Sequence, residues 1–225
     1  MEKCYLKILE KEEIRENIFS VWVEGVKNAK AGQFLHILPK NKTLRRPISI
    51  CEIDGEKVRI VFSVRGDGTA EIATYDDTLD IVGPCGNGFT FQDAEKVLLV
   101  GGGIGVPPLL EIAKHYRKSA DVVLGFRNSD LVILEEDFKK TGASVNVQTN
   151  YIIDLPEKDY DVVYTVGPFP MMKAVAQKYK NVFVSLEERM GCGVGACLCC
   201  PVRTTDGMKR VCKDGPVFNS NDFLW

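Results

Sequence analysis

The sequence predicts an α+β multidomain fold, and three observations lead to it. Residues 1–92 contain short strand patterns separated by turn signals, which is typical of a small antiparallel β-barrel. Residues 93–185 alternate apolar strand patterns with a helix pattern, which indicates an α/β domain with a parallel sheet. Residues 186–225 hold most of the eight cysteines and form a small C-terminal domain.

The barrel prediction rests on short segments rich in β-branched and aromatic residues. Turn-forming residues lie between these segments, and Asp54-Gly55 is a strong hairpin signal. The predicted strands are 18–23, 33–38, 48–51 and 57–62.

The second domain begins with a continuous apolar strand at 97–100, followed by glycines and a helix pattern over 107–118. Strands that alternate with helices form βαβ units, whose strands run parallel. The further predicted strands are 121–124, 145–147, 162–166 and 182–185, and little regular structure is expected after residue 186.

Composition excludes several classes of function. The 225-residue chain has a net charge of −2, so neither nucleic acid nor an anionic membrane surface is an expected partner. It has no run of about 18 apolar residues, and its first residues lack a signal-peptide pattern. We therefore expect a cytoplasmic protein with reduced thiols. Cys4, Cys51 and Cys85 are predicted core residues, and both histidines, His36 and His115, are predicted to be structural.

The most informative pattern is a set of four cysteines with the spacing C-x4-C-x2-C-x11-C. Its opening is the plant-type [2Fe–2S] ligand pattern. Small residues around the first ligands would let the loop approach a cluster closely and adopt positive φ. The predicted ligands are Cys192, Cys197, Cys200 and Cys212.

Two alternatives stay open for this segment. Four thiolates also bind structural zinc, although zinc sites usually contain C-x2-C pairs at both ends. Cys199 is adjacent to Cys200 and could replace it, but the x2 spacing favours Cys200.

Two barrel motifs are candidates for binding a flavin. Arg46-Pro47-Ile48-Ser49 is predicted to lie between two strands, with a guanidinium suited to a pyrophosphate. The hydroxyl of Ser49 could reach a flavin ring nitrogen, whereas the simpler interpretation is an exposed surface arginine. Gly68-Thr69 precedes a short helix pattern, and Thr69 is a candidate N-cap at a phosphate-binding terminus. A plain loop-to-helix turn is equally compatible.

A third motif follows the first strand of the α/β domain. Gly101-Gly102-Gly103-Ile104-Gly105 lies between a strand and a helix, where dinucleotide loops occur. It departs from the usual fingerprint because Pro108 occupies the third position. No acidic residue is evident about twenty residues further on, so NAD versus NADP stays open. Thr165 to Met172 forms a second strand-end turn on the same sheet.

The order of these motifs resembles the ferredoxin–NADP reductase superfamily over essentially the whole chain. The segment from Glu187 through Cys212 to Phe218 is similar to the electron-transfer subunits of type B dihydroorotate dehydrogenases. This resemblance implies FAD, one [2Fe–2S] cluster and NAD as cofactors. It implies FAD contacts from Arg46, Pro47, Ile48, Ser49, Phe62, Ser63, Gly68 and Thr69, and nicotinamide nucleotide contacts from Gly101 to Gly105.

The resemblance also implies a partner. Electrons from dihydroorotate would leave FMN in a catalytic subunit and reach NAD⁺ through the cluster and FAD, in a heterotetramer with two copies of each subunit. A flavin has to lie between the other two groups because it handles both hydrides and single electrons. The alternative is a gamma-type electron-transfer subunit of a hydrogenase or sulfide dehydrogenase, and a third possibility is a zinc-stabilised binding module.

Overall fold

The structure is a computed structural model that describes residues 2–149 and 153–225. Residue 1 of the predicted barrel domain and residues 150–152 of the predicted α/β domain lie outside the described residues. Within the described residues, no helix is both long enough and apolar enough to span a membrane.

The N-terminal part is a closed barrel of six strands in the order β1-β2-β5-β4-β3-β6, with antiparallel pairing throughout. All four predicted strands are present, and β1 and β6 are additional. The strands are β1 (Glu2–Arg15), β2 (Ile18–Glu24), β3 (Phe34–Leu38), β4 (Arg46–Asp54), β5 (Lys57–Ser63) and β6 (Thr78–Cys85), with helix α1 (Asp67–Ala73) between β5 and β6.

The barrel interior is filled by alternate residues of its strands, as expected for a sheet with two different faces. Leu35 and Ile37 of β3 and Ile48 and Ile50 of β4 belong to one buried apolar cluster. The prediction that residues 46–49 lie between two strands is wrong, because β4 begins at Arg46. Its outward-facing positions are therefore presented by a sheet rather than by a loop.

The second part is a six-stranded sheet in the order β14-β11-β10-β7-β8-β9, in which only β14 is antiparallel to its neighbour. All five strands predicted here are present. In chain order the elements are β7 (Val97–Gly102), α2 (Leu110–Tyr116), β8 (Ala120–Gly125), α3 (Glu135–Lys140), β9 (Ser144–Gln148), β10 (Val162–Val166), α4 (Phe169–Lys178) and β11 (Val182–Ser185).

The predicted helix over 107–118 is shorter than expected. It begins as a 3₁₀ turn at Pro107–Leu109, continues as α2 and ends in a second 3₁₀ turn at Arg117–Ser119. Arg117 has a φ of +51°, which the right-handed helix does not allow, so the α-helix stops at Tyr116.

The C-terminal part has more regular structure than expected. It contains β12 (Pro201–Thr204), β13 (Gly207–Arg210), α5 (Val211–Asp214) and β14 (Val217–Asn219). Strand β14 pairs with β11, so the cysteine segment is joined to the α/β sheet. Phe34 and Cys85 of the barrel share a buried cluster with Cys200, Cys212 and Phe218, so this segment also packs on the barrel.

Ion pairs connect the barrel to the α/β domain. Arg59 of β5 lies 3.3 Å from Asp137 of α3 and 3.5 Å from Glu52 of β4. Lys114 of α2 lies 3.0 Å from Glu52 and 2.8 Å from Glu111. This half-buried network fixes two helices of the α/β domain against two barrel strands.

Candidate functional site

A cavity of about 1050 Å³ lies where the three parts of the chain meet. The barrel contributes Ser63 and Arg65, the glycine-rich loop contributes Gly102 to Gly105, and the segment after β11 contributes Glu187. Its walls are mainly apolar with a few polar groups, as is usual for small-molecule and cofactor sites. The volume suits ligands as large as nucleotides.

Two turns that were separate in the sequence meet on the cavity wall. A β-carbon added at Gly105 would lie 2.7 Å from Cα of Gly167, and one added at Gly102 would lie 2.7 Å from Cδ of Pro168. The loop after β7 and the turn after β10 are therefore in backbone contact, which only glycine permits here. Gly103 has a φ of +54° and faces open space, whereas Gly101 is buried beneath the loop.

The carboxyl ends of neighbouring strands complete this wall. Four of the residues that line it lie after β8 and one lies at the start of α4: Phe126, Arg127, Leu131, Ile133 and Met171. Ligands of open α/β sheets bind beyond the carboxyl ends of the strands, so this is the expected place for a nucleotide. Arg127, two residues beyond the end of β8, thus lines the cavity.

The two predicted flavin motifs are brought together, although they are over twenty residues apart. A β-carbon added at Gly68 would lie 2.5 Å from Nε of Arg46, so the guanidinium lies against the backbone of the α1 segment. Nη1 of Arg46 donates to the carbonyl of Leu44 at 2.7 Å. The neighbouring Arg45 differs in role, since it pairs with Asp80 at 2.6 Å and holds β3 to β6.

The expectation that Thr69 caps the N-terminus of α1 is wrong in detail. The cap position is Gly66, and Thr69 lies in the first turn. The hydroxyl of Thr69 accepts from the backbone N–H of Arg65 at 2.8 Å and donates to the carbonyl of Gly66 at 3.0 Å. Thr69 therefore shapes the loop that precedes the helix, and the neighbouring Asp67 is exposed.

The remaining predicted flavin residues divide between the two faces of the barrel wall. Ile48 and Phe62 lie in the barrel interior, and Phe62 stacks on Phe19 with ring centroids 5.9 Å apart. Pro47 and Ser49 are half-buried on the alternate, outward positions of β4. Ser63 lines the cavity and accepts a hydrogen bond from Nε of Arg65 at 2.9 Å.

Backbone N–H groups surround the predicted cluster ligands. Val194, Ala196 and Cys197 donate to the sulfur of Cys192 at 3.3–3.4 Å. Gly195 donates to the sulfur of Cys212 at 3.2 Å, and Cys212 donates to the sulfur of Cys200 at 3.4 Å. Such N–H···S bonds stabilise negative charge on sulfur, which is what thiolate ligands and cluster sulfides require.

The loop geometry depends on glycine as predicted. Gly193 and Gly195 have φ values of +70° and +82°, and Leu198 is also in the left-handed region. Gly191 has no positive φ, but a β-carbon there would lie 3.2 Å from the sulfur of Cys197. Arg210 also stabilises the loop, because its guanidinium donates a hydrogen bond to the carbonyl of Gly195 at 3.0 Å.

The thiol pKa values differ across this segment. Burial alone would raise the pKa of Cys192, but the N–H groups of Val194, Cys197 and Ala196 lower it to about 6. Burial raises the pKa of Cys212 to about 12, and the adjacent Cys200 sulfur adds to that rise. The segment therefore favours a thiolate at Cys192, and filling a metal site at Cys212 would release a proton.

The thiols of the predicted ligands influence one another. The thiol of Cys192 interacts with that of Cys197, and the thiol of Cys212 with those of Cys200 and Cys192. Among the described residues, no three or more metal-ligating side chains converge closely enough to hold a single metal ion. Cys200 is 2% exposed, whereas Cys199 is exposed. Four thiols with backbone N–H donors around them are the ligand set that a [2Fe–2S] cluster requires.

Two residues near these sites were not expected to be functional. His36 is fully buried against the cysteine loop, and burial, with the charge of Arg45, lowers its pKa to about 4. Glu187 lines the cavity, where desolvation by the surrounding protein raises its pKa and Arg65 opposes that rise. No sequence pattern marks either residue, since both depend on packing between distant segments.

Comparison with known proteins gave consistent results. Residues 187–224 match the family model described as the iron–sulfur cluster binding domain of dihydroorotate dehydrogenase B. A protein of Clostridium perfringens, named dihydroorotate dehydrogenase B (NAD(+)), electron transfer subunit, is 42% identical over 97% of both chains. A Streptococcus pneumoniae protein with the same name is 40% identical over 96% of both chains.

Solved structures with the same fold include two kinds of reductase. The structure of an NADH-dependent reduced ferredoxin–NADP oxidoreductase, studied for flavin-based electron bifurcation, is 32% identical with a TM-score of 0.86, covering 98% of this chain and 89% of that one. Phthalate dioxygenase reductase is 19% identical with a TM-score of 0.63, covering 84% and 70%. The second likeness shows the fold alone.

Proposed function

Since the chain belongs to the family of dihydroorotate dehydrogenase B electron transfer subunits, being 42% identical to one member over 97% of both chains, we propose that it passes electrons between a catalytic subunit and NAD⁺. The catalytic subunit is an FMN-containing dihydroorotate dehydrogenase of pyrimidine biosynthesis, present with this chain as two copies each. We assign FAD to residues 1–92, the nicotinamide nucleotide to 93–185 and the [2Fe–2S] cluster to 186–225.

Electron transfer between NAD⁺ and the catalytic subunit needs both FAD and the [2Fe–2S] cluster. FAD, when bound, would exchange a hydride with the nicotinamide and single electrons with the cluster. The chain's own residues have to hold these groups, keep them in a fixed relation and limit the access of water. The contacts of the barrel, the α/β sheet and the cysteine segment around one cavity support such an arrangement.

The FAD site is proposed on the outer face of β4 and at the start of α1. Arg46 would hold the pyrophosphate, because a guanidinium forms paired charge-assisted hydrogen bonds. The missing side chain at Gly68 leaves room for that guanidinium. Pro47, Ser49 and Ser63 would contact the flavin through side chains, while buried Ile48 and Phe62 would contribute backbone groups.

The nicotinamide nucleotide site is proposed on the wall formed by Gly102 to Gly105 and the turn at Gly167. The close approach of these two loops leaves the cleft above them open to a ligand. Ser63 and Arg65 line the same cavity from the barrel side, so a nicotinamide there would approach a flavin held by the barrel.

The cluster site is proposed at Cys192, Cys197, Cys200 and Cys212. The observation that carries the proposal is a set of backbone N–H groups that donate to the sulfurs of Cys192, Cys200 and Cys212, four of them from the cysteine loop and one from α5. An ordinary buried cysteine does not need such donors, whereas a charged thiolate does. The plant-type spacing of the four cysteines supports two irons.

The partner surface is proposed around the cysteine loop. Leu198 and Met208 are 65% and 64% exposed, and Val194 is exposed beside Cys192. Large apolar side chains with this exposure around a redox loop are suited to burial by a second subunit. An electron that leaves the cluster has to cross this surface.

The test uses Cys212→Ser in the complex purified with its partner. We expect NADH to reduce bound FAD at nearly the wild-type rate while electron transfer from dihydroorotate to NAD⁺ is lost. Cys51→Ser is the matched control, because Cys51 is a buried thiol distant from the loop and assigned to no site. Equal loss of both reactions in a folded Cys212→Ser protein would contradict the linear order from NAD through FAD to the cluster.

A second candidate function follows from the 32% identity to the NADH-dependent ferredoxin–NADP oxidoreductase structure. The chain would use the same groups but serve a different partner, such as a bifurcating oxidoreductase, a hydrogenase or a sulfide dehydrogenase. The identity of the subunit that co-purifies with the chain distinguishes the two candidate functions. An FMN-containing dihydroorotate dehydrogenase supports the first proposal, and a hydrogenase or ferredoxin-dependent oxidoreductase supports the second.

A further inference from the structure

His36 occupies an unusual place for a polar side chain. Leu35 and Ile37 on either side of it point into the barrel, so His36 lies on the outer face of β3. It is nevertheless 0% exposed. The cysteine loop covers it, since a β-carbon added at Gly193 would lie 2.3 Å from Nδ1 of the ring. The burial of His36 therefore depends on the loop that carries Cys192.

The ring of His36 is buried without being satisfied. Among the described residues, neither Nδ1 nor Nε2 has a hydrogen-bond partner. The backbones of Cys192 and Arg45 are both close enough to influence the ring, but neither forms a hydrogen bond of normal geometry with it. A buried imidazole with no partner loses its hydrogen bonds to water without replacement, so such groups are rare unless a further ligand satisfies them.

The charges around the ring do not supply a partner either. Arg45 and Arg46 are the charged side chains that act on it, and both are cations. The nearby carboxylate of Asp80 is paired with Arg45 at 2.6 Å. The ring therefore has one N–H to donate and needs an acceptor that carries negative charge or a lone pair.

We propose that His36 is a positioning residue of the iron–sulfur site, which seats the cysteine loop on the barrel and donates its ring N–H to the sulfur-bearing group held there. This inference rests on the proposed function, because it requires the cluster. Cluster sulfides and ligand thiolates are acceptors of the required kind, and hydrogen bonds to them set the reduction potential. Strand pairing places His36 opposite Pro47, a proposed FAD contact. A single barrel residue would thus connect the cluster loop to the flavin face.

The test compares His36→Leu and His36→Gln with the wild-type complex. The readouts are the cluster midpoint potential from EPR-monitored titration and the iron content per FAD. Loss of a donor destabilises the more negative reduced cluster, so His36→Leu should shift the potential downward and weaken cluster retention by about tenfold or more. His36→Gln keeps an N–H donor and should lie closer to wild type in both measurements.

The chain offers a matched control in its second histidine. His115 lies on α2 in the α/β domain and stacks on Phe91 with ring centroids 4.1 Å apart. His115→Leu should leave the potential, the EPR signal and the iron content unchanged. In every variant, reduction of FAD by NADH should stay close to the wild-type rate, which shows that the barrel is intact.

Two outcomes would overturn the inference. The first is a His36→Leu protein with wild-type potential, EPR signal and iron content. The second outcome applies if His36→Leu does not fold, in which case Gly193→Ala replaces it. Gly193→Ala pushes a methyl group against the His36 ring and should lower the cluster midpoint potential. An unchanged potential in Gly193→Ala would contradict the proposal. A wild-type complex with no [2Fe–2S] signal after reduction would instead refute the proposed function itself.

Discussion

The guanidinium of Arg46 lies against the α-carbon of Gly68, so closely that an added β-carbon would be 2.5 Å from Nε. We expect Gly68→Ala to displace this guanidinium and to weaken FAD binding by about tenfold or more, because a charge-assisted hydrogen bond to the pyrophosphate would be lost. The stability of the FAD-free chain should change little, since the end of an arginine side chain can move. Fluorescence titration with FAD measures the affinity.

Gly66→Ala is the matched control for this substitution. Gly66 lies in the same loop, has extended backbone and has nothing within 4 Å of an added β-carbon. It should retain wild-type FAD affinity. If Gly66→Ala and Gly68→Ala weaken FAD binding equally, the effect comes from loop flexibility rather than from Arg46.

A second prediction concerns the contact between the two loops on the cavity wall. A methyl group at Gly105 would meet backbone atoms of Val166 and Gly167 at 2.7–2.8 Å, and backbone cannot move aside as a side chain can. We expect Gly105→Ala to cost about 1–3 kcal/mol of unfolding free energy. The KM for NADH should also rise, with FAD content unchanged. Denaturant unfolding and steady-state kinetics check both effects.

Gly103→Ala separates steric contact from backbone strain. Gly103 has a φ of +54° but no neighbour within 4 Å of an added β-carbon. It should therefore show only the strain cost of about 1–2 kcal/mol, with a smaller change in KM. A Gly105→Ala protein with wild-type KM would contradict a nucleotide site at this loop.

A third prediction distinguishes the two adjacent cysteines. Cys200 is buried and accepts the N–H of Cys212, whereas Cys199 is exposed. We expect Cys200→Ser to lose the [2Fe–2S] absorption and Cys199→Ser to keep it. Iron and acid-labile sulfide per FAD provide the measurement. Cluster loss in Cys199→Ser, with retention in Cys200→Ser, would reverse the ligand assignment.

The strand order of the α/β domain was not predicted, although its strands and the glycine loop were. Continuous apolar runs such as 97–100 and the glycines after them are local patterns, so they predict a strand and a following loop without any knowledge of tertiary contacts. Strand β1 was missed because the charged run from Glu10 to Glu13 interrupts its apolar alternation, and this half of the strand forms by pairing with β2. Strand β14 has three residues and forms only by pairing with β11.

In the candidate sites too, local patterns could be predicted from the sequence, whereas contacts between distant segments could not. The cysteine spacing is a local pattern, and the ligand set that it predicts stays a prediction. The contact of Arg46 with Gly68, the burial of His36 and the position of Glu187 all depend on segments far apart in the chain. Spacing carries no information about such contacts, so they had to come from the structure.

The last prediction concerns the pH dependence caused by Glu187. Its pKa is raised above the ordinary value of 4.5, first by desolvation on the cavity wall. The folded chain therefore holds this proton more tightly than the unfolded chain does. The resulting stabilisation is complete below pH 4.5 and is lost as the pH rises through the folded pKa.

Glu187→Gln removes this pH-dependent loss. We expect the variant to gain unfolding free energy relative to wild type as the pH rises from about 4.5 to 8, measured by urea unfolding of the FAD-free chain. Glu188→Gln is the matched control for removing one negative charge, because Glu188 is the adjacent carboxylate, is exposed like Glu187 and lines the same cavity. If the two variants show the same pH profile, general charge repulsion explains the effect. A profile specific to Glu187→Gln indicates that the cavity wall desolvates this carboxylate, as a site that excludes water from bound cofactors requires.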